Sequence, residues 1–301
     1  MKRNSEAEKR SILPTRRQAA RSLLGVPFGI GVANSAATTI DSTVDGVRIG
    51  AQSYSFRDRG LDACIQAYVD CGLGYAELWH GHLEPKKSDL SRWRTSAPES
   101  FFKDVRTRFD RAGVRFIACS FDIDNSFSDE EIDHIFKMIH WMGLKQMTAS
   151  PKLDVVPRLD RFANKYNIYI AIHNHATRKP NDLSTPADFE TALRNRSRYI
   201  RVNLDIGNAT AAGWNPVDYF IEHQSRISVV HLKDSKVPHG NQEGATVPWG
   251  QGDTDIHKIL TLLKQSESHI PANIEYQYGS TGMNSVAEVR KCFQYCRQAL
   301  A

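Results

Sequence analysis

Outside the N-terminal region the sequence has no run of about 18 apolar residues, so the body of the chain is not expected to cross a membrane. Cysteine is scarce: there are five, an odd number, with no CxxC pair. Cys64, Cys71 and Cys119 stand in apolar surroundings, and Cys292 and Cys296 lie four apart on a helical stretch, which reads as inert core thiols. No GxGxxG follows the first strand-like segment, which counts against a dinucleotide fold, and no glycine loop ends in the Lys-Ser or Lys-Thr of a P-loop. A basic stripe is missing too. The net charge is +5, but the excess lies ahead of Val26 and the remainder is close to balanced, so no nucleic-acid partner is expected. What is left is ordinary globular composition, 41% hydrophobic and 24% charged over 301 residues, enough for one large α/β barrel or two smaller domains.

The N-terminus reads as an address. Thr15-Arg16-Arg17-Gln18 precedes a mildly apolar run through Leu23, Leu24, Val26, Phe28, Ile30 and Val32, followed by the small residues Ala33 to Ala37. A basic region, a short apolar region and small residues make a secretory signal, and the paired arginines with weak hydrophobicity resemble the twin-arginine type. The expectation is a signal over residues 1–37, a linker over 38–46 and a folded domain over 47–301. The mature protein would then be periplasmic or secreted, with no stable membrane association.

From Val47 onward, apolar runs alternate with amphipathic stretches. Candidate strands are Arg48–Tyr54, Tyr75–Trp79, Arg115–Phe121, Gln146–Ala149, Ile168–His173, Ile200–Asp205, Ser228–His231 and Ala272–Tyr276. They recur about every 32 residues, the spacing of βα units. Ser128 with Glu131 forms a capping box, and Ile132, Ile135, Phe136, Ile139 and Met142 form a helical stripe that Gly143 ends. Thr185-Pro186 and Asn215-Pro216 each place a cap before a first-turn proline. Phe101, Phe102, Val105 and Phe109 form another stripe, closed by Gly113. Eight such units predict a single closed (β/α)8 TIM barrel.

In such a barrel the chemistry gathers where strands finish. The stretch Val229-Val230-His231-Leu232-Lys233-Asp234 turns from apolar to polar, and alternation puts His231 and Lys233 on one face. Strand five ends in His173-Asn174-His175, strand six in Asp205-Ile206-Gly207-Asn208, and strand eight in Ile274-Glu275-Tyr276. His173, Asp205, His231 and Glu275 come from four adjacent strands whose spacing of about 4.8 Å lets their tips surround one divalent ion. Mixed nitrogen and oxygen ligation suits manganese, zinc, cobalt or iron(II) better than calcium or magnesium, and two carboxylates ease burial of a double charge. Asp234 reads as a helix cap or as a partner of Lys233 or of a ligand histidine. Glu77, Trp79, His80 and His82 read as a sugar-binding wall, with hydrogen-bond acceptors beside an indole face. Gln52 and Tyr54 alternate toward the same pocket. The glycine-rich loop Gly244–Asp255 is expected to cover the site or to bind phosphate.

These motifs in this order, His231-Leu232-Lys233-Asp234, Asp205-Ile206-Gly207-Asn208, Gly250-Gln251-Gly252-Asp253 and Ile274-Glu275-Tyr276, resemble the xylose isomerase-like sugar isomerase/epimerase superfamily from about Val47 to the end. The resemblance implies a TIM barrel with a manganese-type ion held at His173, Asp205, His231 and Glu275. Two positions depart from the family pattern. His173 stands where the epimerases carry a glutamate, and Asn208 where they carry a histidine. A reaction with two opposed glutamate proton carriers therefore lacks one of them here.

The expected chemistry is proton abstraction beside a chelated carbonyl of a small-molecule sugar, with Glu275, Lys233 and His175 as proton carriers and Asn208 contacting substrate. Manganese is the first choice of ion. Return of the proton gives isomerisation or epimerisation. Loss of a β-substituent gives elimination, which makes an exported lyase or hydrolase of 3-keto-glycosides the rival reading. A multi-metal nuclease for abasic DNA and a non-catalytic sugar-binding protein are the outside readings, and a homo-oligomer is compatible with all of them.

Overall fold

The computed structural model describes residues 38–86, 89–266, 269–277 and 284–301. The expected signal over residues 1–37 lies outside the described residues.

Eight parallel strands close on themselves. They are β1 (Val47–Gln52), β2 (Tyr75–Trp79), β3 (Arg115–Ser120), β4 (Gln146–Ala149), β5 (Tyr169–His173), β6 (Ile200–Asp205), β7 (Ile227–Leu232) and β8 (Ala272–Ile274). Each pairs with its sequence neighbour, and β1 pairs with both β2 and β8, which shuts the barrel. The strands are mostly buried apolar runs, and the polar residues Glu77, His173, Asp205 and His231 stand near their C-terminal ends.

The helices form where the caps and stripes place them. Ser128 and Glu131 satisfy each other's backbone in a capping box at the head of Asp129–Trp141. Thr185 caps Pro186–Leu193 and Asn215 caps Pro216–His223, each with proline in the first turn. Phe102, Val105 and Phe109 bury one face of Glu99–Arg111 in the layer between helices and barrel. All five cysteines are buried.

Several boundaries differ from the sequence reading, strand eight for example ending at Ile274 and not Tyr276, and two of the differences have a clear local cause. The first strand was expected to reach Tyr54, but Gln52 Oε1 accepts the Tyr54 amide and folds Ser53–Phe56 into a 3₁₀ turn. The other difference lies in the segment read as a linker, residues 38–46. There, Thr43–Val44 pairs antiparallel with β1, the Ile40 amide donates to Gly113 O, and buried Ser42 Oγ donates to Ile49 O while accepting the Gly74 amide. This strap crosses the loops that lead into β2 and β3. It can lie there because Gly74 has no side chain: a Cβ at that position would sit 2.0 Å from Ile40 O.

That contact yields a test away from the site. Gly74→Ala should displace the strap and cost about 1–3 kcal/mol, as overpacking does, seen as a lower Tm with the far-UV spectrum of a barrel retained. An unchanged Tm would show that the strap contributes nothing to stability.

Candidate metal centre

Register brings the polar strand ends to one level. His173 lies beside Asn203, Asp205 beside His231, and His231 beside Asn273. Glu275 follows β8 directly, anchored by its amide to Leu232 O. One ligand atom from each of His173, Asp205, His231 and Glu275 lies within 4.8 Å of all the others. His173 Nε2 is 3.3 Å from Asp205 Oδ2 and 3.8 Å from Glu275 Oε2, and His231 Nδ1 is 2.9 Å from Glu275 Oε2. The tips therefore converge, and the donors are two imidazole nitrogens and two carboxylate oxygens.

The surroundings aim these donors. His231 Nε2 meets Glu77 Oε2 at 2.8 Å, so the proton held there leaves Nδ1 facing the cluster. On β5, His173 Nδ1 contacts Ser150 Oγ at 3.3 Å, which leaves Nε2 facing inward. Asn174, between His173 and His175, exchanges side-chain bonds with the backbone N–H and C=O of Asp205 and so locks the end of β5 to β6. Asp205 Oδ1 caps the Ile206–Ala211 helix at the Asn208 amide, which leaves Oδ2 for the cluster.

Charge decides whether a divalent ion fits. Three carboxylates, Glu77, Asp205 and Glu275, are buried here with one ammonium, Lys233, whose Nζ lies 2.8 Å from Asp205 Oδ2 and 3.3 Å from Glu275 Oε1. Neutral histidines and a 2+ ion bring that set to zero. Burial alone would raise the Glu275 carboxyl, but Lys233 and His231 outweigh it and hold the group well below the usual carboxylate range. Burial likewise opposes the Lys233 ammonium, and Asp205 and Glu275 outweigh it, so the shift is upward. Lys233 is thus an ammonium counter-charge, not the base the sequence suggested. For His231, burial favours the neutral ring, yet Glu77 and Glu275 push its pKa up to about 10. The donor set, its aim and its charge all fit a divalent ion of the manganese, zinc or iron type.

A cavity of about 670 Å³ opens above the cluster. His175 stands on its wall, held neutral by burial and by the neighbouring His173 ring 5.7 Å away. Trp79 lines the same cavity, with Tyr54 edge-on at 5.1 Å, and Gln52 lies beside them. Asn208 also lines it, with Oδ1 3.3 Å from Lys233 Nζ.

The expected sugar wall is otherwise rearranged. Glu77 lines the foot of the same cavity but is fully buried, and Thr148, His231 and Asn273 occupy its two oxygens, so it backs the candidate ligand His231. His80 and His82 are absent from the cavity lining. They pack around Trp79, with His82 Nε2 3.1 Å from Ser53 O. The glycine-rich loop is not a phosphate cradle, because the amides of Gly250, Gly252 and Thr254 all donate to the Asp234 carboxylate. A Cβ on Gly252 would lie 1.9 Å from Asp234 Oδ1, which explains the glycine. Asn203 and Asn273 were missed. Each lies two residues before a ligand, on the same strand face, and that alternation is the signal that finds them.

Two measurements test the centre. Glu77→Gln should weaken manganese binding about 10- to 100-fold with the fold retained, as loss of a carboxylate behind a ligand histidine does, whereas unchanged affinity would remove Glu77 from the site's support. The His231 pKa, raised from 6.5 to about 10, means that in chelator-treated protein its stabilising charge is complete below pH 6.5 and lost as pH rises through 10. A metal must displace that proton, so calorimetry in buffers of different ionisation enthalpy should show proton release at pH 7 and tighter binding toward pH 10. Affinity independent of pH over that range would contradict His231 as a ligand.

A model of the xylose isomerase-like TIM barrel family matches residues 65–298. No curated protein matches the chain. Among solved structures, a xylose isomerase domain protein from Planctomyces limnophilus is 15% identical, with 84% of this chain and 97% of that one covered at a TM-score of 0.65. A sugar phosphate isomerase/epimerase from Parabacteroides distasonis is 18% identical over 88% and 99% of the two chains, TM-score 0.62. The IOLI protein, solved with a bound zinc atom, is 14% identical over 85% and 99%, TM-score 0.63. At these identities the solved structures speak for the fold, and with a family model spanning most of its barrel the chain belongs to the xylose isomerase-like TIM barrel family.

Proposed function

We propose that the protein is a divalent-metal-dependent enzyme of the sugar isomerase/epimerase type, which moves a proton on the carbon next to a sugar carbonyl. The observation that carries this reading is the convergence of four ligand atoms, on two imidazoles and two carboxylates, within 4.8 Å at the foot of an open cavity. When bound, a divalent ion supplies Lewis acidity toward a carbonyl and its neighbouring hydroxyl.

The remaining chemistry falls to the side chains. Glu275 stays ionised beside Lys233 and takes the proton from the substrate carbon at a carboxylate oxygen. Lys233 Nζ holds Asp205 and Glu275 in place and keeps the buried charge balanced. On the cavity wall, neutral His175 accepts or returns a proton at an imidazole nitrogen. Trp79 and Tyr54 present ring surface to the C–H faces of a sugar, and Asn208 offers an amide to its hydroxyls.

A second reading is elimination from a 3-keto-glycoside, in which the same proton removal is followed by departure of the aglycone. It is favoured by His173, whose inward nitrogen is a ligand atom and not a proton carrier, so Glu275 is left without an opposed carboxylate partner. The twin-arginine pattern supports export, where oxidised sugars and glycosides are met. A multi-metal nuclease is less well supported, because the described residues contain one ligand group of this kind.

The test is to load the mature protein with manganese and follow both aldose–ketose interconversion and aglycone release from a 3-keto-glucoside. One of the two should turn over, and Glu275→Gln should lower kcat by at least about 100-fold. Full activity in Glu275→Gln, or no turnover of either class with metal bound, would overturn the proposal.

A further inference from the structure

A second cavity, of about 1130 Å³, adjoins the one above the ligand cluster, and Ala176 and Thr177 line both. It runs between the start of the Pro216–His223 helix and the antiparallel hairpin whose strands are Ser235–Lys236 and Ala245–Thr246. The cavity over the cluster, about 670 Å³, already lies in the range of about 300–1,000 Å³ typical for a whole small ligand. Together the two exceed that range, so there is room for more than one sugar ring.

The lining of the second cavity indicates what it takes. Trp214 is fixed by its Nε1–H bond to Ser184 O and by an edge contact with Tyr219 at 5.5 Å. Asn241 and Gln242 bring amide side chains with no hydrogen-bond partner among the described residues. Of the charged groups, Arg178 donates to Ala212 O, Asp253 accepts from the Val237 amide and Asp255 caps the Lys258 amide; with Glu243 and the Lys258 side chain the lining holds three acids against two bases, an unfavourable setting for an anionic ligand. With the glycine-loop amides turned to Asp234, that loop leaves no backbone nest for a phosphate.

We propose that this groove is a subsite for a second, neutral sugar ring, so that the substrate is a glycoside whose reacting ring sits over the metal ligands and whose other ring lies against Trp214. The inference rests on the proposed function and narrows its substrate from any sugar to an unphosphorylated disaccharide or longer glycoside.

The experiment is calorimetry on the manganese-loaded protein with methyl glucoside and with α- and β-linked glucosyl-glucose disaccharides. At least one disaccharide should bind about tenfold more tightly than the methyl glucoside. Val237→Trp begins from an exposed side chain, 47% accessible, and should fill the groove without touching the core. It should abolish that advantage while leaving manganese content and methyl glucoside binding unchanged, and Trp214→Ala should do the same. Equal binding of mono- and disaccharide, or a disaccharide advantage that survives Val237→Trp, would overturn the subsite. If monosaccharides still turn over in either case, the proposed function stands without it. Absence of all sugar binding by protein that retains its metal would overturn the subsite, and loss of keto-sugar and aldose turnover as well would overturn the proposed function.

Discussion

His231 sits between two carboxylates, Glu77 on Nε2 and Glu275 on Nδ1, and the centre of the barrel depends on that bridge. Glu77 is a fully buried anion in a low-dielectric interior, tolerable only because His231, Thr148 and Asn273 all bond it. The same contact leaves Nδ1 of the imidazole pointing at the other ligands. One interaction therefore stabilises a buried charge and orients a metal donor. Lys233 completes the balance by answering the third carboxylate, and an interior with three acids becomes neutral once a dication joins them.

The barrel places these groups through backbone register and loop anchoring. Pairing of β5 to β8 sets the donors at one height, and Asn174 ties the end of β5 to that of β6. Beyond β7 the Asp234 carboxylate gathers three amides of the glycine-rich loop, whose Thr246 lines the cavity. An anion inside the chain thus takes the role that an external phosphate plays in glycine-rich phosphate loops. The loop is structural support for the mouth of the site, and its glycines permit close approach to that carboxylate.

Much of this was legible before any coordinates. Strand positions followed from apolar runs at βα spacing, since buried parallel strands have no alternation to blur them. The helix caps at Ser128, Thr185 and Asn215 followed from local hydrogen bonding, which needs no distant partner. The group of candidate ligands His173, Asp205, His231 and Glu275, whose tips converge, was picked out from four consecutive strands that turn polar at the same end. For Glu77 in β2 and His80 and His82 just after it, the sequence does not say whether such a residue faces the cavity, forms the floor beneath it or packs behind it. Neighbouring strands make that choice: Thr148, Asn273 and His231 come from β4, β8 and β7.

The sequence by itself determined the fold class, the order of its elements and the residue types that gather at the mouth, because periodicity, caps and polar strand ends are local properties of the chain. Tertiary structure alone decided that Lys233 is a counter-charge and Glu77 a buried support, that the glycine loop closes on Asp234, and that a second groove adjoins the first. Each of these rests on distances between residues remote in sequence. Protonation state and exposure follow from those distances, and no local pattern encodes them.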